Sequence, residues 1–389
     1  MDLIIRPTIA LLCIGLLIGC ESSSLDHIDA AHPKTNNIIL LIGDGMGEAH
    51  RLAARWALVG KKGKLAMDEM PVRGSLRTNS ANDKITDSAA AATAMATGVT
   101  TNNGIIGMDA ELRPVMTILE KAQERGMAVG LVTTTQIAHA TPGAFAAHVS
   151  SRKAKPEIAQ QMLSKGVDVM LGGGENDFLP TTENGCFPKA GKRTDSRNLT
   201  REAVADGYTY LCEPLVLQSF KAVASTKLLG LFADKGMTRP FSPTLAEMAQ
   251  KAIDILSQDP DGFFLMIEGG QIDWASHDND AAAVIASTIG FDRAVKAAKD
   301  FASANGDTLI IVTADHETGG MKVSSTPSGL PGEDGPFLTP DAKKFYVNWS
   351  TDEHTSSKVP VTAQGPGSTA LMGKQDNTSV YRAMQDALQ

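Results

Sequence analysis

The chain has 389 residues, 42% hydrophobic and 21% charged, with 36 Gly and 18 Pro. That is the profile of an ordinary globular protein, long enough for a full α/β core with insertions. The formal net charge is -8 and no basic run or aromatic-basic interleave occurs, which argues against nucleic acid as a partner.

In chain order, the first twenty residues read as a targeting segment rather than as part of the fold. Arg6 supplies a positive charge, and Ile9 to Ile18 is an apolar run. The run is shorter than the roughly 20 residues a spanning helix takes. It closes on Leu17-Ile-Gly-Cys20, followed by Glu21 and three serines. This pattern resembles a bacterial lipoprotein signal, cleaved before Cys20 and lipidated on its thiol; an ordinary secretory signal that happens to contain Cys is the alternative. The expected division is a signal over 1–19, a polar flexible tether over 20–36 and a single folded domain over 37–389. The expected location is the periplasm or cell envelope, with a lipid anchor at the outer membrane.

Asn37 to Ile42 is a continuous apolar run, as in a strand buried on both faces of a parallel sheet. It ends in Gly43-Asp-Gly-Met-Gly47, and a helix is expected over Glu48 to Val59. This Gly-rich turn lacks Gly-x-Gly-x-x-Gly spacing and a phosphate-loop Lys, so it is weak evidence for a nucleotide site. The Ala-rich stretch from Ile85 reads as a short helix stopped by Gly98, with Asp87 and Ser88 at its N-terminal end. Unpaired amides and the helix dipole there favour an anion and a nucleophilic hydroxyl; the alternative is that Ser88 only caps a tightly packed helix. Further expected elements are a helix over 114–125 and strands over 127–133, 167–171, 262–267, 308–313 and 359–363. Helices are expected from the Thr244/Glu247 capping box to Ser257, over 281–304 and over 379–388. Residues 175–240 read as an irregular surface insertion, and 324–343 as a Pro/Gly loop. Cys186 and Cys212, in an exported chain, suit a disulfide, with two buried thiols as the alternative. Strands alternating with helices predict one α/β domain, a three-layer α/β/α sandwich around a mostly parallel sheet.

Polar residues recur just past the ends of these strands, where ligands bind in open α/β sheets. Asp44 follows the first strand. Glu268 follows Phe263-Phe-Leu-Met-Ile267, with Asp273 and His277 four residues apart beyond it. Asp315 and His316 follow Leu309 to Thr313, and His354 precedes the last strand. Each has a dull explanation alone, as a turn residue, a helix-face pair or a core histidine. Together, so many carboxylates and imidazoles would repel or go unpaired unless cations bind them. Histidine with carboxylate suits zinc, and an all-oxygen set suits magnesium.

Six stretches carry a resemblance: Ile-Gly-Asp-Gly-Met-Gly, Thr-Asp-Ser-Ala-Ala-Ala-Ala-Thr-Ala, Ala-Thr-Pro followed by Ser-Ser-Arg, Glu-Gly-x-x-Ile-Asp-x-x-x-His, Thr-Ala-Asp-His-Glu and Glu-His-Thr. In this order, between Ile39 and Met372, they resemble the alkaline phosphatase family. The resemblance implies a phosphate monoesterase with two zinc ions and one magnesium ion, acting on small phosphate monoesters and commonly dimeric, though a monomer is possible. It implies that Ser88 is the nucleophile that becomes phosphoserine and that Arg152 clamps the phosphate. It implies Asp273, His277 and His354 at one zinc, Asp44, Asp315 and His316 at the other, and Asp44, Thr141 and Glu268 at magnesium. Asp87 would orient Arg152. Where the best-known bacterial pattern has Asp and Lys near magnesium, this chain has His139 and Trp274. The connection from Glu317 to Glu353 is also short for the family. Competing readings are a phosphodiesterase or sulfatase of the same superfamily, and a metal- or phosphate-binding lipoprotein without turnover. Ser88-Ala-Ala-Ala lacks the x-Pro-x-Arg context of a sulfatase.

Overall fold

The computed structural model describes residues 35–223 and 225–389, together with Asp2. The expected signal, Cys20, His27, His32 and the tether up to residue 34 lie outside the described residues. Thr35 and Asn36, expected in the tether, belong to the body: Asn36 exchanges backbone hydrogen bonds with Asp307 and Phe263 at its N–H and C=O.

Strands β1 (Asn37–Ile42), β2 (Val72–Arg77), β3 (Ala128–Gln136), β4 (Val169–Gly173), β5 (Tyr208–Leu211), β6 (Lys227–Leu231), β7 (Phe263–Glu268) and β8 (Thr308–Thr313) run along the chain. They are followed by the short β9 (Glu317–Thr318), β10 (Lys322–Ser324), β11 (Asp334–Leu338), β12 (Lys344–Asn348) and β13 (His354–Thr355), and by β14 (Val359–Gln364) and β15 (Gly373–Asp376). Ten of them form one sheet in the order β15-β2-β14-β8-β1-β7-β3-β4-β6-β5. Only β14 runs against the rest of this sheet.

The helices are α1 (Glu48–Val59), α2 (Ser88–Thr97), α3 (Ile118–Glu124), α4 (Ala140–Ala146), α5 (Lys155–Ser164), α6 (Leu199–Ala205), α7 (Pro214–Ser219), α8 (Leu245–Leu256), α9 (Gln271–His277), α10 (Ala281–Asn305) and α11 (Thr378–Ala387). One face of the sheet carries α1, α8 and α10, and the other carries α2, α3, α4 and α11. This is the expected three-layer sandwich.

The sheet centre follows from the apolar runs. Every residue of β1, β7 and β8 is buried, as both faces of a parallel sheet require when helices cover them. Each fully buried Ile, Leu or Phe there contributes about 1.5–3 kcal/mol of transfer free energy. Side-chain caps begin the helices: Asp87 for α2, Thr117 with Glu120 for α3, Thr244 with Glu247 for α8, and Asp280 for α10. The cap at Thr117 explains why α3 starts four residues later than Pro114, where the pattern suggested. All ten residues of α2 are buried. Its small side chains admit α4 and α11 close on either side. Gly98 ends it in the left-handed conformation at φ 74°.

Two stretches differ from expectation. Residues 175–240 are more than a loop-rich insertion, because β5 and β6 extend the central sheet in parallel and α6 and α7 accompany them. The signal is weak because β5 and β6 are only four and five residues long. Cys186 and Cys212 are joined in a disulfide across this segment. Residues 322–348 hold a small antiparallel sheet, β10-β12-β11, instead of an unbroken loop. Its inward-facing Phe345 and Val347 alternate along β12, and Phe345 meets Trp56 of α1 edge-on at 5.7 Å.

Candidate functional site

Strand register places the site. Ile42 pairs with Glu268 on one side and Thr313 on the other, and Glu268 pairs with Thr133. The ends of β1, β7, β8 and β3 are therefore level. Asp44 and Asp315 each stand two residues past their strand, and Glu268 is the last residue of β7. Three carboxylates leave adjacent strands at one edge, which is the ligand-binding edge of open parallel sheets.

Ligating atoms lie within 4.8 Å of one another in three sets: Asp44, Asp315 and His316; Asp273, His316 and His354; and Asp44, His139 and Glu268. The first is the set expected at one zinc. The second differs from expectation, because His316 joins Asp273 and His354 while His277 stands just outside. His277 still faces Asp273, with Nε2 3.4 Å from its Oδ2. In the third, His139 joins Asp44 and Glu268 directly, where it was expected only as a neighbour. Thr141, at the start of α4, is wholly buried and its hydroxyl makes no hydrogen bond.

The histidines are aimed by their outer nitrogens. Nδ1 of His277 bonds the Asp352 carbonyl at 2.5 Å, and Nδ1 of His354 bonds the Thr86 carbonyl at 2.9 Å. A carbonyl only accepts, so each Nδ1 carries a proton, and each Nε2 is turned toward Asp273, to which it donates when the ring is protonated. Thr318 donates to Asp273 Oδ1 at 2.5 Å, so its oxygen is free to accept from Nδ1 of His316 at 3.2 Å. His316 Nε2 then faces Ser88 Oγ at 3.2 Å, and Asp44 and Asp315 at 3.3 Å each. Gly45 permits this crowding. Its φ is 71°, and a Cβ there would come within 2.7 Å of the Thr318 hydroxyl and 2.9 Å of Asp273 Oδ1.

Ser88 opens α2 and is buried. Asp87 caps that helix with Oδ1, accepting from the Ala90 N–H, and uses Oδ2 for the Gly104 N–H and for Nη1 of Arg152 at 2.9 Å. The rest of the Arg152 guanidinium has no partner among the described residues. Trp274, half-buried on α9, meets His139 edge-on with centroids 6.0 Å apart.

The electrostatics are those of a site short of positive charge. Burial pushes Asp44 well above the usual carboxylate range, and Asp315, Asp273 and Glu268 push it the same way. Burial lifts Glu268 to about 7, against the hydrogen bond from Thr133. Burial opposes ionisation of Asp273 too, but His277 and His354 hold it well below the usual range. Hydrogen bonding to Asp273 raises His277 to about 9. Burial lowers both His316 and His139, and Arg152 lowers each further. Both Asp44 oxygens, Asp315 Oδ2, Glu268 Oε1, His139 Nδ1 and the Thr141 hydroxyl are buried without a hydrogen-bond partner. Orphans of this kind are costly unless cations take them up, and the mix of imidazole, carboxylate and hydroxyl suits zinc and magnesium.

Two other histidines near these motifs play structural parts. His50 is buried between the Gly47 N–H and Ser276, and His148 is held between the Gly107 carbonyl and Glu120. Several site residues were missed from the sequence. Thr318 lies two positions past His316, and the run Thr133-Thr-Thr135 at the end of β3 supplies two hydroxyls to Glu268. A hydroxyl run ending an apolar strand is the signal that could have found the second.

Comparison with known proteins agrees with this geometry. The family model described as alkaline phosphatase matches residues 35–343. Alkaline phosphatase 3 of Bacillus subtilis is 33% identical, over 95% of this chain and 92% of its own length. Streptomycin-6-phosphate phosphatase of Streptomyces griseus is 35% identical, over 96% and 95%. Among solved structures, the alkaline phosphatase from the Antarctic bacterium TAB5 is similar with a TM-score of 0.78 and 31% identity, over 92% of this chain and 98% of that one.

The crowding of acids has a measurable consequence in chelating buffer. Because Asp44 titrates higher in the folded state than in the unfolded chain, its ionisation costs stability as pH rises past its unfolded value of about 3.9. Asp44→Asn is expected to stabilise the metal-free protein at pH 8, and by less at pH 4.5. Urea unfolding at the two pH values checks this, and a variant less stable than wild type at pH 8 contradicts it.

Proposed function

Since the chain belongs to the alkaline phosphatase family and is a hydrolase with that family's phosphomonoester chemistry, we propose that it cleaves small phosphate monoesters through a phosphoserine formed on Ser88, beside two zinc ions and one magnesium ion. The observation that supports this most is the position of Ser88. A buried hydroxyl on the first residue of a helix touches the one imidazole shared by two clusters of possible metal ligands.

Asp273, His277 and His354 would hold one zinc, Asp44, Asp315 and His316 the other, and Asp44, Glu268 and Thr141 the magnesium. When bound, these cations supply Lewis acidity, lowering the pKa of a coordinated hydroxyl or water and neutralising charge on the leaving oxygen. The chain's own groups do the rest. Arg152, steadied by Asp87 through one nitrogen, keeps its remaining N–H groups for two phosphate oxygens. Asp87 takes the Ala90 N–H and leaves those of Ser88 and Ala89, at the positive end of α2, for an anion. Ser88 Oγ bonds to phosphorus as the bond from phosphorus to the ester's alcohol oxygen breaks, and the hydroxyl proton passes through solvent to that departing oxygen. Water then displaces Ser88 from phosphorus in a second in-line step, giving one proton back to Ser88 Oγ and releasing phosphate with configuration retained. His139, buried against Asp44 and Glu268, adds a nitrogen donor that makes the third site less selective for magnesium over zinc.

The targeting pattern supports export, with Cys20 as a lipid anchor ahead of the folded body. Among the described residues, no helix is long and apolar enough to cross a membrane.

Three outcomes are expected. Wild type turns over p-nitrophenyl phosphate and leaves bis-p-nitrophenyl phosphate nearly untouched, while Ser88→Ala loses on the order of 10⁴-fold in kcat with its zinc content intact; acid quenching traps phosphate on wild type alone. Undiminished turnover in Ser88→Ala would sink the reading. Trp274→Lys, by placing an ammonium beside the phosphate site, lowers the inhibition constant for inorganic phosphate by roughly tenfold; equal constants would leave Trp274 a space-filler. Cys20→Ser moves the protein from the membrane pellet to the wash when an expressing bacterium is fractionated, and an unchanged distribution excludes the anchor.

A further inference from the structure

The expected zinc ligands fall into two sets, with Asp273, His277 and His354 in one and Asp44, Asp315 and His316 in the other. One side chain outside both sets reaches into each. Thr318, in β9, is wholly buried. Its oxygen lies 2.5 Å from Oδ1 of Asp273 and 3.2 Å from Nδ1 of His316. A hydroxyl has one proton to give, and an ionised carboxylate can only accept. The shorter contact has the length of a charge-assisted hydrogen bond, so the proton goes to Asp273. The hydroxyl then meets the imidazole with a lone pair, and His316 donates to it from Nδ1.

This order of protons prepares both sets at once. Nε2 of the neutral His316 ring is left bare, facing Asp44 and Asp315 at 3.3 Å each. An imidazole binds zinc through such a bare nitrogen, and the hydrogen bond at its other nitrogen decides which one is bare. Asp273 is held by a neutral donor, which fixes the carboxylate without cancelling the charge a cation needs. Among the described residues nothing stands in for Thr318. Nδ1 of His316 has no second hydrogen-bond partner, and the other partners of the Asp273 carboxylate are the imidazoles of His277 and His354. The main chain adds further ties. The Thr318 N–H donates to the Gly45 carbonyl at 3.1 Å, and the Gly45 N–H donates to Asp315 Oδ1 at 3.1 Å. Thr318 also pairs with His354 across the two-residue ladder of β9 and β13.

We propose that Thr318 is a positioning residue for both zinc sites: its one hydroxyl fixes Asp273 in the first set and the tautomer of His316 in the second, so that losing it weakens the two sites together. This rests on the zinc assignment made above. A group that backs a single ligand would weaken one site alone.

The test titrates the zinc-loaded enzyme, in excess magnesium and at one pH, with a competing chelator, and reads bound zinc per chain. Wild type should release two zinc ions. In Thr318→Val, both apparent zinc dissociation constants should rise by about 10-fold or more. Thr318→Ala, which also lacks the hydroxyl, should do the same and serves if the valine variant does not fold. Thr318→Ser keeps the hydroxyl and should restore both constants toward wild type. Unchanged release from Thr318→Val, or a loss confined to one zinc, would overturn the proposal. So would a serine variant as weak as the valine one, because the hydroxyl would then not be the cause. Wild type holding fewer than two zinc ions would defeat the zinc assignment and this proposal with it. That outcome is distinct from two zinc ions that Thr318→Val leaves in place, which defeats this proposal alone.

Discussion

Mutual repulsion among buried acids is the constraint around which the molecule is built. Asp44, Glu268, Asp273 and Asp315 are all buried and close enough that each burdens the ionisation of another. No lysine or arginine is paired with any of the four among the described residues; imidazoles are their only basic neighbours. A protein interior tolerates such a set by holding some of the carboxyls neutral, as the raised Asp44 and Glu268 would be, or by taking up cations. The sheet supplies the stability that holds the acids together. Its central strands are wholly buried, and their level ends hold the carboxylates in register.

The arrangement also shows how one side chain serves two clusters. His316 is oriented from behind by Thr318, and its Nε2 reaches Ser88, Asp44 and Asp315 while its ring stacks on His354 at 3.6 Å between centroids. The hydroxyl that holds His316 also holds Asp273, so Thr318 ties the two expected zinc sites into one unit. Small residues make the space: Gly45 beside Thr318, and the alanines of α2 beneath Ser88.

Much of this was legible in the sequence because buried parallel strands announce themselves as unbroken apolar runs. Asn37 to Ile42 and Thr308 to Thr313 are bounded as expected, and the charged residues just past them are the ones that converge. Capping residues marked α8 well, through Thr244 and Glu247. Strands β5 and β6 were hidden because they are short and lie in a stretch rich in Gly, Pro and charge, where tertiary pairing and not local pattern decides. Partner identities were the least legible part. Nothing local to His139 says that it will lie against Asp44 and Glu268, because those three come from loops and strand ends far apart in the chain. The Asp87–Arg152 pair was reached through family resemblance, and the structure supplies its geometry.

The wide spacing of the cluster along the chain has a bearing on biosynthesis. Its members run from Asp44, in the turn after the first strand, to His354, within the final tenth of the polypeptide. A nascent chain emerging from the ribosome lacks the last imidazole until almost all of it has been translated. A fragment or prematurely released product that ends before His354 lacks part of the set. The cluster thus forms only after nearly the whole chain has been made and its distant strands have paired.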